Sequence, residues 1–273
     1  MVHKYIRNIL VLITITVWIA VFSIDSNLHI IACDVGQGDA ILIQKNTTQI
    51  LIDSGPNNRV LDCLGTHMPF WDKQIELAIS THVDKDHSGG FLDVSHAYKI
   101  DRLLVSSSQT DKVLEKVANS TIEPQKDMVI RLGLIYLDIL HPYEGFTSKN
   151  TNDYSVVNLV RYGNFKAIFM GDLELNISED LIENSKIGPV DYIKISHHGS
   201  KNGTSEKLLD MLRPKEAIIS SGKKNSYGHP HKEILQMLNT TNTKILRTDI
   251  EGDIDYVTDG INFWYNKQTT HKQ

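Results

Sequence analysis

His82, Asp84, Asp86 and His87 fall within six consecutive positions of the segment Thr81-His82-Val83-Asp84-Lys85-Asp86-His87-Ser88-Gly89-Gly90. Neutral imidazole and carboxylate are the donors a divalent first-row ion prefers. Four of them so close together point to metal-assisted hydrolysis, in which bound ions polarise an oxygen and activate water near neutral pH. The rival reading is a polar turn whose histidines merely cap or hydrogen-bond. It suits a lone histidine better than a cluster of this density. Four further stretches end apolar runs with residues of ligand type. Asp53 closes Ile50-Leu51-Ile52, and Asp172 closes Ala167-Ile168-Phe169-Met170-Gly171. His197 and His198 close Tyr192-Ile193-Lys194-Ile195-Ser196, and His229 and His231 flank Pro230 ahead of a helix. Asp53 could hold the motif loop by hydrogen bonds in place of binding metal. Neighbouring side chains point opposite ways on an extended chain, so one of His197 and His198 is expected to reach a shared centre. His231 could instead open the helix whose start Pro230 sets.

Such donors need rigid platforms, and strand ends provide them. Residues 75–80 read as a buried strand that runs into the motif, with a helix beginning after Gly90. Upstream, residues 29–35, 40–44 and 49–52 alternate around short polar turns, the pattern of a β-meander, and a helix is expected over 57–64. Downstream, strands expected at 102–105, within 128–140 as two strands broken at 131–133, and at 155–160, 165–170, 192–195 and 217–220 are interspersed with helices. The helices are expected at 91–98, 111–119, 174–183, 205–212 and 232–238. Strand runs with inserted helices predict an α/β (α+β) fold of two sheets packed face to face, helices outside. Chemistry would sit where strand ends of both sheets meet.

The 273 residues can bury a sizeable core. Formal charge is −5 and the sequence pI about 6.2, which argues against a broad basic surface for nucleic acid. It leaves room for a local contact to phosphate through metal ions. The two cysteines, Cys33 in an apolar strand-like run and Cys63 in an expected helix, are expected as buried thiols, a disulfide being possible but unsupported by the sequence. At the N-terminus His3, Lys4 and Arg7 precede an apolar run over residues 9–22. Residues 1–25 are expected to be a signal peptide or a single membrane anchor. The positive flank would keep the N-terminus inside and place the rest outside the cytoplasm.

Taken together the motifs resemble the metallo-β-lactamase superfamily, and within it the C-terminal extracytoplasmic domain of the ComEC competence proteins. The matching pieces are Asp34-Val35-Gly36-Gln37-Gly38-Asp39-Ala40, Asp53-Ser54-Gly55, the Thr81–Gly90 segment, Gly171-Asp172, His197-His198-Gly199-Ser200 and Tyr227-Gly228-His229-Pro230. The late Arg247-Thr248-Asp249 with Gly252 also fits.

The resemblance implies an αββα sandwich of two mixed β-sheets flanked by helices. The hydrolase domain would span 28–266, with a loose tail over 267–273. It also implies two divalent metal ions, zinc or manganese, at one edge. His82 and Asp84 would hold the first ion, Asp86 and His87 the second. Asp172 would bridge them and His197 would complete the second site. Asp84 could instead orient the attacking water. The superfamily pattern has a histidine where Asp84 stands, and another where this chain reads Asn152-Asp153-Tyr154-Ser155. The first ion is thus short of nitrogen donors, which shifts preference toward manganese or magnesium. His229 would supply a nitrogen or contact substrate, alongside Gly38, Ser200 and Lys201.

The implied activity is that of a phosphodiesterase or nuclease acting on DNA, with a hydroxide shared by the two ions as nucleophile and Asp84, Asp86 and His229 as catalytic residues. The alternatives are hydrolysis of a lactone, thioester or β-lactam on the same fold, and a non-catalytic anchored module that binds nucleic acid. ComEC proteins carry a multi-helix channel, whereas this sequence shows at most one membrane segment. The expectation is therefore a partner of a separate DNA-uptake channel protein, or a free-standing anchored or secreted hydrolase.

Overall fold

The computed structural model describes residues 2–22, 25–106 and 113–267. The N-terminal apolar run forms α1 (Val2–Phe22), on which Ile9, Leu10, Leu12 and Ile13 are exposed. Among the described residues no helix is long and apolar enough to cross a membrane. The alternating segment that follows folds as the meander β1 (Leu28–Ala32), β2 (Ile41–Lys45) and β3 (Thr48–Ile52), all antiparallel. Next come α2 (Val60–His67), β4 (Gln74–Ile75) and β5 (Leu77–Ile79). The motif leads into α3 (Lys85–Ser88), α4 (Phe91–Ala97), β6 (Lys99–Leu104) and β7 (Ala118–Ile122). The chain then crosses to the second sheet through β8 (Val129–Leu132), β9 (Ile135–His141), β10 (Val157–Tyr162) and β11 (Phe165–Phe169). Helices α5 (Leu175–Ser185), α6 (Glu206–Leu212) and α7 (Lys232–Thr240) alternate with β12 (Tyr192–Lys194), β13 (Glu216–Ile219) and β14 (Lys244–Arg247). After α8 (Thr248–Glu251), β15 (Ile254–Thr258) and β16 (Phe263–Tyr265) return to the first sheet.

Among the described residues, nine strands make one sheet, ordered β16-β15-β1-β2-β3-β5-β6-β4 with β7 on β6, and seven make the other, ordered β14 to β8. Period-two alternation builds the layers. In β2, Ile41 and Ile43 face the second sheet, in a core with Ile30, Phe165, Phe169 and Tyr192. Leu42, between them, faces Val60 and Leu64 of α2 and Phe91 of α4. The outer side of the second sheet packs Ile168 and Ile193 against Leu208 of α6 and Ile234 of α7. Helices thus cover both outer faces, giving the expected αββα sandwich. Each fully buried aliphatic side chain contributes about 1.5–3 kcal/mol.

The site depends on where the strands run parallel. β3 pairs parallel with β5, and β11, β12 and β13 run parallel in turn. Parallel neighbours end at the same edge. Ile52, Ile79, Phe169 and Lys194 therefore all release their following residues at ligand-bearing ends.

Three local expectations are corrected. Cys33 and Cys63 are joined in a disulfide and are not free thiols. Cys33 follows β1 and Cys63 lies on α2, and the layer packing brings their Cα atoms to 5.8 Å, within disulfide reach. A helix over 111–119 is replaced by a short 3₁₀ turn, Leu114–Lys116, and by β7, which starts at Ala118. Pairing with β6 overrides the local helical pattern there, and residues 107–112 lie outside the described residues. The strand expected at 75–80 is two short pieces, β4 and β5. The expected tail falls almost wholly outside the described residues.

Candidate metal centre

Asp53 leaves β3 with φ +59, a left-handed conformation that aspartate tolerates better than most residues. That turn sends its carboxylate back under the motif. It accepts from the Thr81 amide at 2.7 Å, the Thr81 hydroxyl at 2.7 Å and His87 Nδ1 at 2.7 Å. Its acceptor capacity is spent on the loop. Asp53 is a holder of ligands in this geometry.

The motif then turns into α3. Asp84 sits at the N-cap with extended φ/ψ but makes no capping bond. An aspartate there ordinarily accepts from a backbone N–H of the first turn. Here the carboxylate stays free, with Oδ2 3.9 Å from His82 Nε2. His82 and His87 are buried, their rings 4.1 Å apart. The Nδ1 of His82 meets the Thr81 hydroxyl at 3.1 Å, so both rings turn Nε2 away from the loop.

The second sheet supplies the other half. Gly171, with φ +54, lets the chain bend after β11, and the Asp172 amide donates to Ser155 Oγ at 3.0 Å. Asp172 Oδ1 lies 3.3 Å from His87 Nε2, and its Oδ2 3.5 Å from His198 Nε2. Asp86 Oδ2 is 3.3 Å from the same His198 nitrogen.

Both His197 and His198 have φ +52, so they do not alternate as extended neighbours would. Expectation assigned the ligand position to His197. The ring against His87, with centroids 5.2 Å apart, is that of His198, which is only 1% exposed. His197 stands at the rim, its Nε2 3.8 Å from Asp172 and its Nδ1 3.8 Å from Glu174. The Nδ1–H of His198 donates to the Ser220 carbonyl at 3.0 Å.

Asp39, part of the Asp34–Ala40 motif but not expected as a ligand, also reaches this group. Ligand atoms of Asp39, His87, Asp172 and His198 all lie within 4.8 Å of one another. A second group, Cys63, His67 and Asp253, meets the same criterion, but Cys63 is committed to the disulfide.

Electrostatics follow from burial and packing. Burial, then His87, pushes His82 down to about 4. Burial also opposes charge on His198, but Asp172 and Asp39 outweigh it and raise the ring to about 9. For His87 the opposing burial is overcome by Asp172 and Asp53, and its pKa is raised well above 6.5. Asp172 resists burial through His87 and His198 and is held well below 3.8. Asp39 is held low against burial by Lys194 and then His198.

The Nε2 atoms of His82, His87 and His198 and Asp172 Oδ1 are all buried and without hydrogen-bond partners. One orphaned buried polar atom costs about 1–3 kcal/mol. Of these, His87, His198 and Asp172 converge and the ring of His82 lies beside that of His87; with Nδ1 of each imidazole already engaged, the set fits a divalent cation and its usual supporting shell.

The remaining expected residues surround this group. His229 lies at the rim, its ring 5.8 Å from His197 and 6.3 Å from His198, pushed down to about 4 by burial and then His198. Lys201 is exposed, and its amide donates to His231 Nδ1 at 3.0 Å. Ser200 is buried and accepts from the Asn202 amide at 3.3 Å. At Gly38, φ +146, an added Cβ would lie 2.3 Å from the Asp86 carbonyl, so this glycine spaces two loops. Tyr227, present in the Tyr227–Pro230 motif, carries no expected role of its own; its ring stacks on His229 at 5.6 Å and is 65% exposed. An exposed aromatic two residues before a rim histidine was the available signal.

The fold and this cluster belong to a known class. The model of the metallo-β-lactamase superfamily matches residues 33–223, and the chain belongs to that superfamily. Its relatives are of the ComEC competence type. It is 31% identical over 249 residues to ComE operon protein 3 of Bacillus subtilis, an alignment covering 82% of this chain and 32% of that protein. It is 32% identical over 225 residues to Recombination protein 2 of Haemophilus influenzae, covering 81% of this chain and 28% of that protein. The chain thus spans about a third of the length of these relatives. Among solved structures, the metallo-β-lactamase fold protein YhfI from Bacillus subtilis superposes with a TM-score of 0.58 at 11% identity. That match covers 85% of this chain and 100% of YhfI, and carries the fold alone.

Proposed function

We propose that this domain is a metal-dependent phosphodiesterase that cuts DNA, using two divalent ions, zinc or manganese. The observation that carries the metal reading is the convergence of the partnerless Nε2 atoms of His87 and His198 on Asp172, with the ring of His82 beside that of His87. The kinship with competence proteins supports DNA as substrate and a DNA-uptake channel as partner. His82 and Asp84 would hold one ion, Asp86, His87 and His198 the other, with Asp172 between. Divalent ions held there would polarise a phosphoryl oxygen and lower the pKa of a water.

The protein's own groups do the rest. Asp84, uncapped and half-exposed, can accept a hydrogen bond from the attacking water. His229, kept neutral, can donate one N–H to a phosphate oxygen at the rim. Lys201 lends positive charge where the chain as a whole is acidic. Tyr227 offers an open ring face for a base, since stacking on aromatics holds single strands without sequence preference.

The Cys33–Cys63 disulfide supports an oxidising, extracytoplasmic setting. The exposed apolar residues of α1 support attachment of the segment 1–25 to a membrane. The test is cleavage of a labelled single-stranded oligonucleotide by the purified chain, with lactone, thioester and β-lactam substrates in parallel. Cutting is expected only with added Mn²⁺ or Zn²⁺, and is expected to be lost in chelator and in Asp86→Ala. Cutting that persists in both, or turnover confined to the carbonyl substrates, would contradict the reading.

A further inference from the structure

Lys194 is the last residue of β12, and only 1% of it is exposed, although its neighbours in the strand are apolar. A buried ammonium has to be paired. Its Nζ lies 2.7 Å from Asp39 Oδ2 and donates to the Ile195 carbonyl at 2.8 Å. Asp39 comes from the other sheet, in the turn between β1 and β2. Its other oxygen, Oδ1, lies 3.3 Å from His198 Nδ1. Its amide donates to the Asp86 carbonyl at 3.0 Å, and its carbonyl accepts from the Gly55 amide at 2.7 Å. One residue therefore touches the backbone of Asp86 in α3, beyond the first sheet, and the ring of His198 in the turn beyond β12 of the second.

Taking the metal reading as its basis, we propose that Asp39, anchored by Lys194, is a positioning residue for the metal centre and not a ligand. Its carboxylate is committed to an ammonium on one side. On the other, Oδ1 faces the His198 ring, 3.3 Å from the Nδ1 whose hydrogen goes to the Ser220 carbonyl. The nearby negative charge favours the tautomer with hydrogen on Nδ1, which leaves Nε2 free toward Asp86 and Asp172. Ligating histidines ordinarily donate their second N–H in this way, and losing such a partner typically weakens metal binding 10–100-fold. The cross-sheet ion pair is what brings the two halves of the donor set into register.

The test is the affinity of the full chain for Zn²⁺ and Mn²⁺, by competition with a chromophoric chelator, in Asp39→Asn, Lys194→Met and the double variant. All three are expected to keep the wild-type number of ions and to bind them 10–100-fold more weakly. Lys194→Met separates the roles: if Asp39 were a ligand, freeing it from the ammonium would leave affinity equal or tighter, which would overturn the proposal. Removing one partner of a buried pair can prevent folding. The double variant, with no buried charge left unpaired there, decides in that case. A folded double variant with a lower melting temperature but wild-type affinity assigns the pair a purely structural role and overturns the proposal. Wild-type protein that binds no ion overturns both this proposal and the metal reading. Tight wild-type binding with unaffected variants overturns only this proposal.

Discussion

His87 Nδ1 lies 2.7 Å from Asp53 Oδ2 in a fully buried contact. That one bond sets which nitrogen of His87 faces Asp172. Asp53→Asn keeps the volume but removes the charge and one acceptor. Hydrogen bonds to charged groups are worth about 1.5–3 kcal/mol, so the metal-free protein should lose about 2 kcal/mol in a urea titration. Metal affinity should fall roughly 10–100-fold with it. Unchanged affinity in the folded variant would mean that Asp53 does not orient His87.

Protons and metal compete for the same nitrogens. With His198 raised to about 9 and His87 raised well above 6.5, both rings carry protons at neutral pH when no ion is bound. Ligation needs neutral imidazole, so binding expels protons. Apparent affinity should climb as pH rises from 6.5 to about 9. Calorimetric titrations in two buffers of different ionisation enthalpy should show net proton release. A flat profile over that window would contradict the assignment.

The same shifts give the metal-free protein a stability optimum. A histidine whose folded pKa lies above its unfolded value contributes stability that is full below about 6.5 and is lost as pH rises through the folded pKa. His198 and His87 act in this sense. His82, pushed down to about 4, acts oppositely: its stability is present above 6.5 and drains as pH falls toward 4. Melting temperatures of metal-free protein should therefore peak near pH 6.5 and decline on both sides.

The Cys33–Cys63 bond closes a loop with a sequence separation of 30 and ties the end of β1 to α2. Chain-entropy arguments assign such a link about 3–4 kcal/mol. Replacing both residues by alanine should lower denaturant stability by that order and leave the fold intact. No change would place the stabilisation elsewhere.

Much of this architecture was legible in the residues. Apolar runs closed by Asp53, the Thr81–Gly90 segment and Asp172 marked strand ends, because a parallel sheet delivers its ligands where its strands stop. What failed to show was anything set by backbone hand or by long-range approach. Two successive left-handed residues, His197 and His198, put the second ring in the place expected of the first. The disulfide and the Asp39–Lys194 pair join residues 30 and 155 positions apart, and neither has a local pattern. A lysine ending an apolar strand was the one hint, since buried ammonium needs an anion.

The rim makes a separable prediction. Lys201→Ala should weaken single-stranded DNA binding about equally across sequences and reduce the salt slope by about 0.7, one phosphate contact. Tyr227→Ala should cost about 1–3 kcal/mol of affinity with little change in slope. Fluorescence anisotropy over a salt series reads both. A slope change on losing Tyr227, or none on losing Lys201, would reassign these roles.

The most direct measurement is anomalous diffraction from a crystal of the protein loaded with Zn²⁺ or Mn²⁺, recorded at the metal edge. Two peaks are predicted, one within bonding distance of His82 and Asp84, the other of Asp86, His87 and His198, with Asp172 between them. Absence of any peak among these side chains, in crystals that bind the ion elsewhere, would contradict the account.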